Sequence, residues 1–320
     1  MSLILSALDV VLQDGFMYAI LAMGYYISYT ILDFPDLTVE GTVVTGGVVF
    51  GLLARAGLNP WLALVVAFTI GFLCGTLTGV LHVRLGIRPL LCGILVSTLL
   101  ISVNLVVTVV GMGGSFAGDG ALSTIDLGRS VPTILRTKPA ALLPTDFGGF
   151  NLRKLVTFFA VALLFKLMLD FYLKTKSGLL LRATGGNAQY VTMLAKDARF
   201  YKTLGLAIGN GYAAVCGALI AQSRGNANQG MGVGMIVIGL ASLIIGLSLF
   251  GRVRFMKPTT AVILGSVIYQ GCLGIATLLG VPSAYNKAIM AVLFTLALVL
   301  SSKFGKGSGG KKNAFVRTHL

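Results

Sequence analysis

Three acids stand close together in the run Asp33-Phe-Pro-Asp36-Leu-Thr-Val-Glu40-Gly41, between two strongly apolar stretches. In a watery surface loop such acids are commonplace. Within an apolar medium each ionised group costs about 2.5–3.5 kcal/mol, so acids there mark an interface or a polar path. Pro35 adds a helix break, which frees backbone groups that must find other partners. A broken helix beside polar side chains suits a pathway or gate. Asp33, Asp36 and Glu40 are therefore candidates for one, together with Tyr18 and Asn104, polar groups in neighbouring apolar stretches. The competing reading is a solvated loop, and for Asn104 a hydrogen bond to an adjacent helix.

Other reactive groups are sparse. His82 and His319 are the only histidines and lie far apart, which gives a zinc site or a Ser/His/Asp triad little to draw on. Cys74, Cys92, Cys216 and Cys272 sit singly in apolar runs without a C-x-x-C pair, as small buried hydrophobes do. The tail segment Gly305-Lys-Gly-Ser-Gly-Gly310-Lys311-Lys312 approaches a phosphate-binding loop. It lacks the final Ser or Thr that would hold magnesium, and an apolar span precedes it where the motif needs a strand. Gly230-x-Gly232-x-Gly234 is equally out of context. No ATP site, redox motif or catalytic cluster is legible, so the chain is read as neither an enzyme nor a cofactor binder.

The elements that position these residues follow from composition. The chain has 320 residues, 56% apolar and 11% charged. Soluble domains carry about 25% charged residues, so this chain cannot cover a soluble surface. It is read as an all-α polytopic membrane protein. Membrane-length apolar spans fall near 16–32, 41–57, 61–81, 89–110, 155–173, 204–221, 235–250, 259–280 and 286–302, with eight to ten crossings expected. The first 14 residues read as a surface helix or part of another crossing, and no cleavable signal is apparent. A single transmembrane domain is expected over 1–320, with a long loop at about 111–153, another at about 174–203 and a tail at 303–320.

The net charge of +15 sits in loops, not beside aromatic platforms, so the positive-inside bias accounts for it better than nucleic-acid binding. Arg84 and Arg88, the central run from Lys174 to Lys202, Arg252, Arg254 and Lys257, and the tail from Lys303 to Arg317 all alternate onto one side. That side is expected to be the cytoplasm, with the C-terminus there. Lys166 and Asp170 stand four apart on one span and read as a self-neutralising pair. Gly71-x-x-x-Gly75-x-x-x-Gly79 reads as a close helix-packing face.

Two stretches carry a resemblance. Gly15-x-x-Tyr18-Ala19-Ile-Leu21-Ala22-Met-Gly24, then Tyr29 and the Asp33–Gly41 segment, is similar to the opening of the membrane subunits of branched-chain amino acid ABC importers. This chain has Asp33-Phe34-Pro35-Asp36 where Asn-Phe-Ala-His would be expected, a form resembling a sister group linked to aromatic amino acids. Leu181-Arg182-Ala183-Thr-Gly185-Gly186-Asn187-Ala188 through Ala195 resembles the cytoplasmic segment of these and of ribose-type permeases. The resemblance implies a type II ABC importer-like permease in a bacterial cell membrane. It further implies a homodimer or heterodimer of permease subunits with the path between them. Two cytoplasmic subunits would bind ATP and magnesium, and an extracytoplasmic binding protein or lipoprotein would deliver a small solute. An amino acid is the first expectation, with a sugar or nucleoside behind it. A coupling helix is expected at about 185–198, with Arg182, Gly185, Gly186, Asn187, Met193, Leu194 and Ala195 as contacts to the ATPase. An ion-coupled secondary transporter is the more distant alternative. It would be expected to carry acids deep in several spans, and the later spans nearly lack them.

Overall fold

The structure, a computed structural model, describes residues 2–113, 124–128, 131–137, 140, 151–193, 197–251, 253, 255–280 and 285–306. The helices are α1 Ser2–Tyr25, α2 Val39–Arg55, α3 Pro60–Leu85, α4 Pro89–Gly111, α5 Leu152–Tyr172, α6 Lys176–Gly186, α7 Ala188–Met193, α8 Ala198–Arg224, α9 Met235–Phe250, α10 Pro258–Leu278 and α11 Asn286–Lys306. A π-helical turn, Tyr26–Ile31, prolongs α1. Two three-residue strands, β1 Thr124–Asp126 and β2 Asn226–Asn228, pair antiparallel, with Ile125 opposite Ala227. Among the described residues, seven helices are long and apolar enough to cross a membrane. α2 and α11 lie on further expected spans. The chain is thus an all-α multi-pass membrane protein, and each expected span corresponds to a helix.

Local chemistry sets the ends of these helices. Asn59 accepts a hydrogen bond from the Trp61 N–H ahead of Pro60, and Gly86 closes α3 in the left-handed region at φ 69°. Asp197 caps α8 by accepting from the Arg199 N–H at 2.9 Å. Residues 2–14 belong to α1 itself: its opening turns pack on α10, with Val11 against Gly274, and do not form a separate surface helix.

α8 is the hub. Nine-tenths of its apolar window is buried (89%) against 28% for α4, so α8 runs through the bundle and α4 lies on its rim. α3 crosses α8 on the expected glycine face. A Cβ at Gly71 would overlap Ala214, one at Gly75 the Leu206 carbonyl, and one at Gly79 would come within 2.7 Å of the Thr203 Cα. Backbones this close need glycine. On the other flank α1 packs on α10, where Ser266 Oγ donates to the Gly15 carbonyl at 2.8 Å. α9 meets α10 through Gly246 and Gly265.

These contacts orient the chain. Gly79 beside Thr203 places the end of α3 with the start of α8. Asp170, near the end of α5, accepts from Lys257 Nζ at 3.1 Å and from Thr259 Oγ1 at 2.6 Å, which brings the start of α10 to the same face. Lys166 joins this cluster at 3.5 Å, as its spacing predicts. The basic loops therefore share one face. α1 starts on the other: Asp9 Oδ2 accepts from the Asn151 N–H at 3.0 Å, beside the start of α5.

Candidate functional site

The chain leaves helical geometry between Leu32 and Thr38, inside the bundle. Leu32 packs on Gly205 and Leu37 on Gly93, and both glycines lie within long spans. Asp33 sits at the surface with φ 53°, a left-handed backbone that aspartate tolerates better than most residues. Pro35 is exposed, while Asp36 is 2% exposed. The Asp36 carboxylate accepts from the Thr38 N–H at 2.9 Å through Oδ1 and from Asn210 Nδ2 at 2.6 Å through Oδ2. Asn210 is fully buried near the middle of α8. Its Oδ1 accepts from Thr42 Oγ1 at 2.8 Å, and Thr38 and Thr78 share a hydrogen bond of 2.8 Å between their hydroxyls. α8 has 27 residues and spans about 40 Å at about 1.5 Å per residue. Asp36 is therefore enclosed at the level of the middle of α8, while Asp33 and Pro35 of the same break remain exposed.

The first turn of α2 gathers two more of the expected residues. Glu40 is half-buried, and its Oε1 accepts from the Gly234 N–H at 3.0 Å, just ahead of α9. Asn104, 2% exposed, donates to the Gly41 carbonyl at 3.2 Å. Asp36, Glu40 and Asn104 thus converge on one end of α2, held by α4, α8 and the turn before α9. Tyr18 lies apart. Its hydroxyl accepts from Arg224 Nη2 at 3.2 Å, near the face where α1 begins. The spacing of the acids signalled the break. Asn210 was missed, although a polar residue flanked by Gly209 and Gly211 within a span could have signalled it.

The basic loop holds two helices. Thr175 Oγ1 accepts from the Gly178 N–H at 3.3 Å to open α6, which ends at Gly185–Gly186. Asn187 is extended, its N–H donates to the Ala183 carbonyl at 2.8 Å, and its side chain accepts from the Gln189 N–H at 3.0 Å. One residue therefore closes α6 and opens α7. The single helix expected over 185–198 is corrected accordingly: Gly185 and Gly186 belong to α6, α7 covers 188–193, and α8 begins at Ala198. The extended Asn187 backbone is what prevents one continuous helix. Leu194 and Ala195 lie outside the described residues. Arg182 is exposed on α6, and Met193 is 84% exposed at the end of α7. On its inner side α6 rests on the π-helical turn. A Cβ at Gly185 would overlap the Ile31 carbonyl, and Leu181 meets Gly205 beside Leu32.

The family described as "Branched-chain amino acid transport system / permease component" matches residues 7–298. A tyrosine transport system permease protein of Clostridioides difficile (strain R20291) is 34% identical over 289 residues, covering 90% of this chain and 89% of that protein. An uncharacterized protein of Rickettsia prowazekii (strain Madrid E) is 32% identical over 298 residues, covering 90% and 95% respectively. No solved structure gives a significant match.

Proposed function

Because this chain belongs to the family of permease components of branched-chain amino acid transport systems, we propose that it forms the membrane path of an ATP-driven importer. Its face with the basic loops is cytoplasmic. Partner subunits on that face bind and hydrolyse ATP with magnesium, and an extracytoplasmic binding protein delivers the solute. A second permease subunit, identical or related, completes the path. The cargo is an amino acid, and the name of the Clostridioides difficile relative puts tyrosine first.

The observation that carries this reading is the direct line from α7 to the broken segment. α7 projects at the basic face, α6 is joined to it through Asn187, and α6 bears without intervening side chain on Ile31, where the π-helical turn gives way to the break. A partner that tilts α7 displaces Gly185 against that turn. The 32–38 segment has no helical hydrogen-bond ladder of its own, so it yields before the helices do. Ligand-driven switching needs partners that bind the two states differently, and ATP-dependent closure of paired ATPases supplies that difference.

The test is uptake of labelled tyrosine, and of a panel of other amino acids, into proteoliposomes holding this chain with its co-purified ATP-binding subunits. Accumulation that requires internal ATP, survives ionophores and needs the binding protein is expected. Uptake abolished by ionophores and indifferent to ATP would replace the proposal with a secondary transporter.

A further inference from the structure

After β2 the chain turns inward along α2. Met231 packs on Gly47, and a Cβ at Gly232 would overlap the Glu40 carbonyl, so residues 229–234 descend from the β1–β2 end before α9 begins. Gln229 Nε2 donates to the Ile101 carbonyl at 3.3 Å. Ile101 stands at the middle of α4, whose 23 residues span about 34 Å at about 1.5 Å per residue. That length matches a hydrocarbon core of about 30 Å, so the turn lies near the bilayer centre. It is not covered there. Gly230 is exposed, Val233 is 57% exposed, and Glu40 and Gln229 are only half-buried. Gln229 Oε1 is buried without a hydrogen-bond partner. Irregular backbone does not face lipid at this depth; it is tolerated only against protein or beside a water-filled path. A carboxylate at this depth is equally ill matched to hydrocarbon. The exposed residues at the middle of α5, by contrast, include Leu163, Leu164 and Leu167, which lipid covers without cost.

We propose that the face made by the 229–234 turn, the start of α2 and the adjoining edge of α4 packs against a second copy of this chain, and that Glu40 and Gln229 line the path enclosed between the copies. Ile101 and Leu105, one turn apart on α4, are exposed and stand with Val233 as an apolar border. Gly230 lets a neighbouring backbone approach closely, as small residues do between membrane helices. Glu40 and Gln229 are the polar floor. Lipid would match the border and leave the floor unpaired, whereas water would match the floor and wet the border. A second copy related by a two-fold axis along the membrane normal sets the patch against itself at the same depth. Border then meets border, and the carboxylate and amide of each copy meet those of the other. One chain supplies only one wall, so the path is incomplete without the second. The proposal rests on the reading above that a second permease subunit completes the path, and it names the surface and the subunit.

The experiment is disulfide cross-linking between two differently tagged copies of the full chain, co-expressed with the ATP-binding subunits and oxidised in membrane vesicles. In a Cys272→Ser background, Ile101→Cys, Leu105→Cys, Gly230→Cys and Val233→Cys are placed one per copy, in like and unlike pairs. A disulfide requires Cα atoms within about 7 Å, so several pairings are needed to find those nearest the axis. At least one pairing should give a reducible dimer that carries both tags. Leu164→Cys, exposed on α5, should give none. All five substitutions are at exposed positions and should leave the thermal midpoint of the solubilised chain unchanged. Failure of every pairing on the proposed face, or a two-tag dimer through Leu164→Cys in its place, overturns the proposal, as does a cross-link from that face to a different protein only. ATP-driven uptake by the wild-type complex is measured in parallel. Uptake without these cross-links sinks the surface alone, whereas cross-links without ATP-driven uptake sink the transport reading alone.

Discussion

Asp36 accepts two hydrogen bonds on two different oxygens, one from the Thr38 backbone and one from Asn210. This fixes what an amide can replace. Asp36→Asn keeps one acceptor oxygen and turns an NH2 group toward a donor, so one bond is lost and two donors oppose each other. A buried group left unsatisfied costs about 1–3 kcal/mol. The thermal midpoint of the solubilised chain should fall accordingly, and an unchanged midpoint would show that the carboxylate does not hold the break. At this scale the sequence was partly legible. Three acids around a proline announced an interrupted helix, but spacing could not tell Asp33, which faces outward, from Asp36, which α8 encloses. That distinction depends on a residue 174 positions away, which no local pattern encodes.

At the scale of elements, α6 and α7 divide labour. α6 is anchored through Gly185 on the π-helical turn, while α7 offers Met193 to the surrounding solution. An exposed side chain with few contacts contributes little to folding, since surface substitutions usually stay within about 0.5 kcal/mol. Met193→Asp should therefore leave the thermal midpoint unchanged. It should also cut co-purification with the ATP-binding subunit, and ATP-driven uptake, by about tenfold, because buried apolar anchors dominate interface energies. Normal assembly and uptake in Met193→Asp would remove α7 from the contact. The glycine and asparagine at 185–187 were readable as a turn. Its position, ending one helix and starting the next, was not, because helix ends depend on where the chain must next pack.

For the whole molecule, contacts between elements place the starts of α1 and α5 on one face and the end of α3 with the starts of α8 and α10 on the other, and the proposal makes the basic face cytoplasmic. Phe255 is 99% exposed in the loop before α10, and Ala56 is exposed after α2, on opposite faces. Cys74, Cys92 and Cys216 are buried and Cys272 half-buried, so a Cys272→Ser background should be nearly silent to thiol reagents. In that background, a membrane-impermeant maleimide should label Ala56→Cys in spheroplasts and Phe255→Cys only in inverted vesicles. The reverse pattern would invert the orientation.

The sequence by itself determined that this is a helical membrane protein, where its spans lie, which loops share a face and which family it resembles. Each of these rests on composition and on periods shorter than a helix length, which a chain carries locally. Only the tertiary structure decided that the opening residues belong to α1, that α8 is the hub, and that Asp36 is enclosed against it. It also brought Glu40, Gln229 and Ile101 onto one face. Those three come from α2, the turn after β2 and α4, and what makes them a set is the packing of glycine-faced helices, a property of surfaces meeting in space that no single segment contains.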